Sequence, residues 1–296
     1  MGRETMYSKK FFFITLAPAM LIFLVMMVYP LSQVLYLSLT NYKLTGGGAV
    51  RFMGLTQYAR LFADERFVSA LGRTFYFAFM SVALSVLLGF VVAYLLQAKY
   101  ARGSGFFRTV ILVPMFMTPL VAGAVFRFLF DYDYGAINQL LQSLSLSKIQ
   151  FLSSPAWALN SAIMVDVWQW FPFAAIVLCA ALESIPPDHL EAADIDGAGW
   201  WTKLFCMKLP FLRPAFSIVL LVRFMDAFRE FDKIYILTSG GPGTASETIS
   251  VYTWRQAFQY YNTGYAAAAG VIMLLVINLI CTLYAKLNRA RKEELR

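Results

Sequence analysis

The side chains in this chain that could do chemistry are few, and most lie inside long apolar stretches. There is one histidine, His189, and three cysteines, Cys179, Cys206 and Cys281. A catalytic centre needs a convergent nucleophile, base or metal set, and a zinc site needs several Cys or His ligands at short spacing. A lone histidine supplies neither, so no catalytic residue and no metal ligand is assigned, and the chain is not read as an enzyme. The polar groups that stand out are instead embedded in apolar sequence. Asp166, Gln169 and Trp170 fall within one to two helical turns, with Trp168 and Pro172 beside them. Further on, Arg223, Asp226, Arg229, Glu230, Asp232 and Lys233 crowd the end of another apolar run. A charged residue at the centre of a membrane helix costs about 2.5–3.5 kcal/mol on insertion scales, so it faces a cavity or a partner. Flat aromatic rings beside amide and carboxylate groups suit sugars, whose C–H faces stack while the hydroxyls hydrogen-bond. Asp166, Gln169, Trp170, Asp226, Arg229 and Glu230 are therefore the candidate residues of a substrate pathway. Two plainer readings stay open: Trp168 and Trp170 also suit an interfacial aromatic belt. The spacings Arg223–Asp226, Asp226–Arg229 or Glu230, and Arg229–Asp232 or Lys233 also suit ion pairs along one helical stripe.

The elements that must position these groups follow from composition. Of 296 residues, 59% are hydrophobic and 14% charged, against about 45–50% and about 25% in soluble domains. Crossing a bilayer takes about 20 apolar residues in a helix, and six such runs lie at about 11–37, 70–97, 107–130, 158–182, 210–237 and 265–287. The expected fold class is all-α integral membrane, with six transmembrane helices forming a single transmembrane domain over residues 1–296 and no separate soluble domain. The net charge of +8 does not point to nucleic acid, because the basic residues gather at the ends of the runs. Arg3, Lys9, Lys10, Lys99, Arg102, Arg108, Lys203, Lys208, Arg213, Lys286, Arg289, Arg291, Lys292 and Arg296 fall on one side; fewer, including Lys43, Arg51, Arg60 and Arg66, fall on the other. By the positive-inside rule the first set is cytoplasmic, which places both termini of a multi-pass membrane protein in the cytoplasm. In this topology no cysteine is placed for an external disulfide; all three are read as packing residues and His189 as a solvated loop residue.

The first run is too long for the 7–15-residue core of a secretory signal and is read as an uncleaved span. An external loop follows, with Gly46-Gly47-Gly48 at its tip and a short helix over Leu55 to Phe62. The glycines are no phosphate cradle: a P-loop needs Gly-Lys-Ser/Thr, and no Gly-Lys occurs anywhere. Pro114 and Pro119 in the third run free backbone carbonyls near mid-membrane, either to line a path, as broken helices do, or as a packing kink. The loop 131–157 carries an amphipathic stretch, Leu140 to Leu146, read as lying on the membrane surface, and Ala266 to Gly270 offers small residues for close helix packing.

Between the fourth and fifth runs lies a polar passage, residues 186–210. Pro187-Asp188 with Glu191 three residues on reads as a helix start in which Asp188 caps and Glu191 reaches back. Gly197-Ala198-Gly199 permits a sharp bend. Trp200, Trp201, Leu204 and Phe205 then form the stripe of a second short helix that ends at Pro210. The expected object is a two-helix elbow. Glu191-Ala192-Ala193, Asp196-Gly197-Ala198 and Leu209-Pro210 at this spacing resemble the EAA loop of inner-membrane permease subunits of binding-protein-dependent ABC importers. Leu237-Thr238-Ser239-Gly240-Gly241-Pro242, following in order, is similar to a segment of the carbohydrate-uptake group. The resemblance covers most of the chain from about Arg108. It implies that the elbow is cytoplasmic and docks into the ATP-hydrolysing subunit, through Glu191, Ala192, Ala193, Asp196, Gly197, Ala198, Leu209 and Pro210. It also implies a second permease subunit, an ATP-binding cassette ATPase dimer and an extracytoplasmic solute-binding protein as partners, with lipid around and no nucleic acid. This chain itself would carry no cofactor, ATP and Mg being bound by the ATPase subunits. The implied function is to form half of the translocation pathway for a sugar or oligosaccharide. The competing reading is a secondary transporter coupled by its intramembrane charges, against which stand the elbow and the lack of a visible internal repeat.

Overall fold

The computed structural model describes residues 9–45, 49–97 and 104–294. Arg3, the tip Gly46-Gly47-Gly48, the basic turn with Lys99 and Arg102, and the side chains of Lys9, Lys10, Arg289, Arg291, Lys292 and Arg296 lie outside the described residues. Helices make up the chain: α1 Lys9–Ser38, α2 Thr56–Ala63, α3 Glu65–Leu96, α4 Ser104–Phe116, α5 Pro119–Leu129, α6 Ala136–Ser143, α7 Ala158–Glu183, α8 Pro187–Ile195, α9 Trp200–Thr202, α10 Leu209–Phe228, α11 Asp232–Thr238, α12 Ile249–Trp254 and α13 Thr263–Glu294. Two π-helical segments, Lys203–Lys208 and Arg255–Gln259, continue α9 into α10 and extend α12. Among the described residues there is no strand, only an isolated bridge between Thr40 and Phe52. Among the described residues five helices are long and apolar enough to span a membrane, and α4 with α5 makes a sixth span if that bent pair crosses together.

The chain divides into two compact units. The first comprises residues up to Glu65 together with Thr253–Leu275. Its α1 is strongly apolar and exposes that surface from Ile14 to Tyr36, as a helix solvated by lipid or by another chain does. The loop after α1 is tied down by backbone bonds: Met53 N–H to the Leu39 carbonyl (2.7 Å), Asn41 N–H to that of Arg51 (3.1 Å), and Gly264 N–H to that of Tyr42 (2.9 Å). A Cβ at Gly264 would strike the Thr40 carbonyl, so this crossing requires glycine. The short helix expected over 55–62 is α2, and of the small stretch Ala266 to Gly270 the alanines Ala266, Ala268 and Ala269 are buried. A Cβ at Gly270 would meet nothing within 4 Å, so Gly270 makes no close approach.

The second unit, Arg66–Tyr252 with Val276–Arg296, holds the polar groups singled out above. Along α3 the buried positions Phe67, Ala70, Thr74, Phe77, Ala78, Ser81, Val82, Ser85, Val86, Gly89 and Ala93 recur at three- and four-residue spacing. They make a stripe of mostly small residues. At Gly89 a Cβ would come 2.5 Å from that of Ala174, so α3 and α7 cross with their backbones nearly touching. Packing of this kind drives association in lipid, where hydrophobic transfer offers no gain. Leu178, Leu182, Ile185, Leu212 and Ala93 close one end of the bundle.

Two expected spans are broken. The run 107–130 bends by 94° between Gly105–Phe116 and Pro119–Leu129. Pro119 has no N–H and forces Thr118 into extended backbone, ψ 147°; Thr118 then caps α5 by accepting the Val121 N–H. The run expected at 210–237 begins earlier, at Trp200, and its helix stops at Phe228. After a break at Arg229–Phe231 it resumes as α11, where Glu230 reaches forward to accept the Lys233 N–H at 3.1 Å. Because of this break, the ion-pair stripe read from helical spacing holds only in part. Asp226 does pair with Arg229 (2.7 Å), but Arg223 turns to Asp166 on another helix instead of to Asp226.

Candidate functional site

The elbow is built from its capping chemistry. Helix α8 begins at Pro187, with Pro186 at the N-cap and no side-chain hydrogen bond at that cap. The expected capping box is therefore absent. Asp188 lies inside the first turn, where its charge faces the positive end of the helix dipole, and Pro187 suits the first helical position because no N–H is missed there. The C-terminus is the better-specified end. Gly197 takes φ +69°, its N–H bonds the Asp194 carbonyl (3.1 Å), and the Ala198 N–H bonds the Ala193 carbonyl (2.9 Å). This pair of reversed bonds is a Schellman motif, which needs a left-handed residue at the Gly197 position. A Cβ there would meet nothing within 4 Å, so conformation, not space, selects glycine.

After the bend the second limb is not a separate short helix. It runs through the π segment Lys203–Lys208 into α10, and the Leu209 N–H reaches the Leu204 carbonyl. Pro210 offers no N–H and its ring would crowd the turn before it; the wider π turn carries the helix past it. Lys203 and Asp194 form an ion pair that ties the limbs together. Ala193, Leu190 and Leu204 face inward, with Leu190 packed on the core cluster of Ile185, Leu182 and Leu212. Glu191, Ala192 and Asp196 face out, and Ala198, Leu209 and Pro210 are half-buried. Ile195, Trp200, Trp201 and Phe205 also stand exposed, Ile195 at 86%. His189 is exposed, as expected, with its ring against Phe211; Cys179 is buried, whereas Cys206 is exposed on the π segment and is not a packing residue within this chain.

The intramembrane polar residues come together at α7. Asp166 is wholly buried; its Oδ2 accepts from Arg223 Nη2 (2.5 Å) and its Oδ1 from Lys233 Nζ (2.6 Å). Lys233 Nζ also donates to Gln169 Oε1 (3.1 Å) and pairs with Glu230 Oε2 (2.9 Å). Gln169 Nε2 donates to the Met117 carbonyl (2.7 Å), in the break between α4 and α5. Thus a carbonyl freed by the proline-rich third run is satisfied from α7. The Arg223 guanidinium lies 4.9 Å from the centre of the Trp170 ring, a cation–π placement. Trp168 packs edge-on against Phe126 instead. Two cations face two carboxylates, so the cluster is formally neutral. Ionic groups persist in such surroundings only when paired and hydrogen-bonded.

Of the six candidate pathway residues, the fold brings Asp166, Gln169, Trp170 and Glu230 into this cluster. Asp226 and Arg229 pair with each other outside it, at 34% and 60% side-chain exposure. Arg223 and Lys233, not counted among the six, are its central donors. Helical spacing pairs Lys233 with Glu230 but could not reveal the hub, because Asp166 and Gln169 lie on α7. A second buried carboxylate also escaped notice. Glu247, in the loop before α12, receives both Arg66 Nε and Nη2 at 2.7 Å, while its backbone carbonyl accepts from Arg73 Nε at 2.8 Å. Among the described residues no three His, Cys, Asp or Glu side chains converge to hold a metal.

The geometry can be set beside known proteins. Residues 66–293 match the family described as "Binding-protein-dependent transport system inner membrane component". The chain is 32% identical over 284 residues to the trehalose/maltose transport system permease protein MalF of Thermococcus litoralis, covering 95% of this chain and 94% of that one. It is 30% identical to the sulfoquinovosyl glycerol transport system permease protein SmoG of Agrobacterium fabrum, covering 93% and 89%. In fold it is similar to a chain in the crystal structure of a bacterial alginate ABC transporter in complex with an alginate pentasaccharide-bound periplasmic protein, with a TM-score of 0.83 at 23% identity, over 94% of each. The family match spans both the buried cluster and the elbow, and the chain belongs to the family of inner-membrane components of binding-protein-dependent transport systems.

Proposed function

We propose that this chain is the permease subunit of an ATP-driven importer of a sugar or oligosaccharide. It forms half of the pathway through the inner membrane, with both termini cytoplasmic, and has no catalytic activity of its own. Its partners are a second permease subunit, an ATPase dimer that binds the ATP and Mg, and an external solute-binding protein; the chain itself carries no cofactor. The single observation that carries the coupling role is the Schellman-terminated elbow. It pins Leu190 and Ala193 to the bundle while leaving Glu191, Ala192, Ile195 and Trp201 exposed, which suits a surface seated in another subunit. The carbohydrate class is supported by the names of the relatives, among them the trehalose/maltose permease and an arabinooligosaccharide permease of Bacillus subtilis. Residues 1–296 act as one transmembrane domain, and Asp226, Arg229, Trp170, Glu230, Asp166 and Gln169 flank the path. Of these, Asp226 and Arg229 offer exposed polar groups in the present conformation, while the others set the helices that frame it.

A secondary transporter would need an ionisable group open to coupling ions. Asp166 and Lys233 are each enclosed by several partners, an arrangement that favours a structural hub. The test is copurification from cells expressing the tagged chain, followed by uptake in proteoliposomes. ATPase and a second permease should accompany the tag, and sugar uptake should require internal ATP. Uptake by this chain alone, driven by an ion gradient, would instead establish the secondary transporter.

A further inference from the structure

The first compact unit contains a cavity of about 400 Å³ that the pathway does not use, within the ~300–1,000 Å³ range of small-molecule sites. Its frame is rigid. The Gly264 N–H bonds the Tyr42 carbonyl (2.9 Å), the Leu44 N–H that of Tyr261 (3.0 Å), and the Asn262 N–H that of Gln256 (2.8 Å). Tyr261 itself holds φ +57°, a conformation uncommon outside glycine. One wall is α2, from which Gln57 and Arg60 project at helical spacing, with Asp64 at its C-cap; Gln256, on the π segment Arg255–Gln259, adds a further amide.

The lining has a mixed polarity that limits what fits. Gln57 is 5% exposed and donates one N–H to the Thr40 carbonyl (3.0 Å), which leaves the rest of its amide capacity for the cavity it lines. Asp64 accepts the Tyr265 hydroxyl at 3.2 Å, so a carboxylate and a phenol ring are fixed side by side. Lys43 and Arg60 also line the space, and among the described residues neither forms an ion pair. The site therefore presents obligate donors and an obligate acceptor together. A simple anion would meet Asp64 unfavourably, and a simple cation would meet Lys43 and Arg60. Hydroxyl groups both donate and accept, and a pyranose ring adds a C–H face for Tyr265.

We propose that this cavity binds one pyranose-sized unit of a carbohydrate, as a site separate from the membrane path and on the face that the basic-residue asymmetry places outside. The choice of ligand class rests on the proposed function. The test uses the assembled transporter without its solute-binding protein, with trehalose, maltose and arabinobiose as probes and inorganic phosphate as the anion control. Uptake in proteoliposomes with the binding protein present is measured for the same sugars. A transported sugar should give saturation-transfer signals with the purified transporter. These signals should weaken about tenfold in apparent affinity in Gln57→Leu, the expectation for one lost hydrogen bond at a buried group. They should also weaken in Lys43→Ala and Arg60→Ala, whose exposed side chains can be removed without disturbing the fold; phosphate should not displace the sugar. If no sugar of the panel is transported, the proposed function falls on the uptake measurement. If one is transported but gives no signal, or binds the Lys43→Ala and Arg60→Ala variants unchanged, or is displaced by phosphate, the cavity assignment falls alone.

Discussion

Lys233 is the residue on which the buried cluster turns, because its ammonium serves Asp166, Gln169 and Glu230 at once. Replacing it by methionine keeps the volume but leaves Asp166 with Arg223 alone and removes the cation that pairs with Glu230. Breaking a buried ion set by removing one partner costs about 3–5 kcal/mol, so Lys233→Met should lower the unfolding temperature of the detergent-purified chain sharply. The double variant Asp166→Asn with Lys233→Met should recover part of that loss, since charge is removed in balance. Strictly additive losses would show that the groups do not act as a unit. At the elbow, Gly197→Ala tests conformation alone, because there is space for the methyl group; a left-handed alanine costs roughly 1–2 kcal/mol. Gly197→Pro is harsher, since proline cannot adopt φ +69° and has no N–H for the Asp194 carbonyl. We expect Gly197→Pro to insert into the membrane but to lose copurification with the ATPase, and Gly197→Ala to retain most of it. Normal ATPase recovery with Gly197→Pro would remove the elbow from the coupling role.

At the scale of elements, periodicity and length made most spans legible, and breaks were where reading failed. The run 158–182 maps onto α7 within a residue at its C-terminus because nothing interrupts it except Pro172. The runs 107–130 and 210–237 contain breaks whose position depends on partners far away in sequence. The Met117 carbonyl is satisfied by Gln169, and Lys233, just past the second break, is held by Asp166 and Gln169. Those bonds are tertiary, and no window of local sequence contains them. The same limit explains the capping box: Asp188 and Glu191 have the right spacing, but Pro187 starts the helix two residues earlier and moves both inside it. By contrast, the glycine bend was readable, because only the backbone of Gly197 is at issue. Close helix crossing was partly readable. Of the small residues singled out in α13 three alanines are buried but Gly270 meets nothing; the close approach is at Gly89 of α3, where a Cβ would meet Ala174 and the Phe171 carbonyl. Gly89→Leu should therefore prevent stable assembly of α3 against α7, seen as loss of the monodisperse peak in gel filtration. A normal peak would show that the two helices can separate at little cost.

For the whole molecule, the decisive matter is which ends face the cytoplasm, since an elbow on the wrong side could meet no ATPase. The charge asymmetry predicts that Lys99 and Lys292 lie inside and Gly47 outside. The exposed Cys206 on the elbow's π segment makes the native chain a reporter as it stands: a membrane-impermeant maleimide should leave it unlabelled in intact spheroplasts and label it once the membrane is opened. With Cys179, Cys206 and Cys281 replaced by serine, single cysteines at Lys99 and Lys292 should follow the same pattern. A cysteine at Gly47 should react in intact spheroplasts. In the assembled transporter Cys206 should become slow to label even in opened membranes, because the neighbouring Phe205 and Trp201 would then be covered by the ATPase. Labelling of Cys206 from outside would invert the topology. Equal labelling of Cys206 with and without the ATPase would leave the topology intact while placing the docking surface on the α8 face, around Glu191 and Ala192, instead of on the π segment.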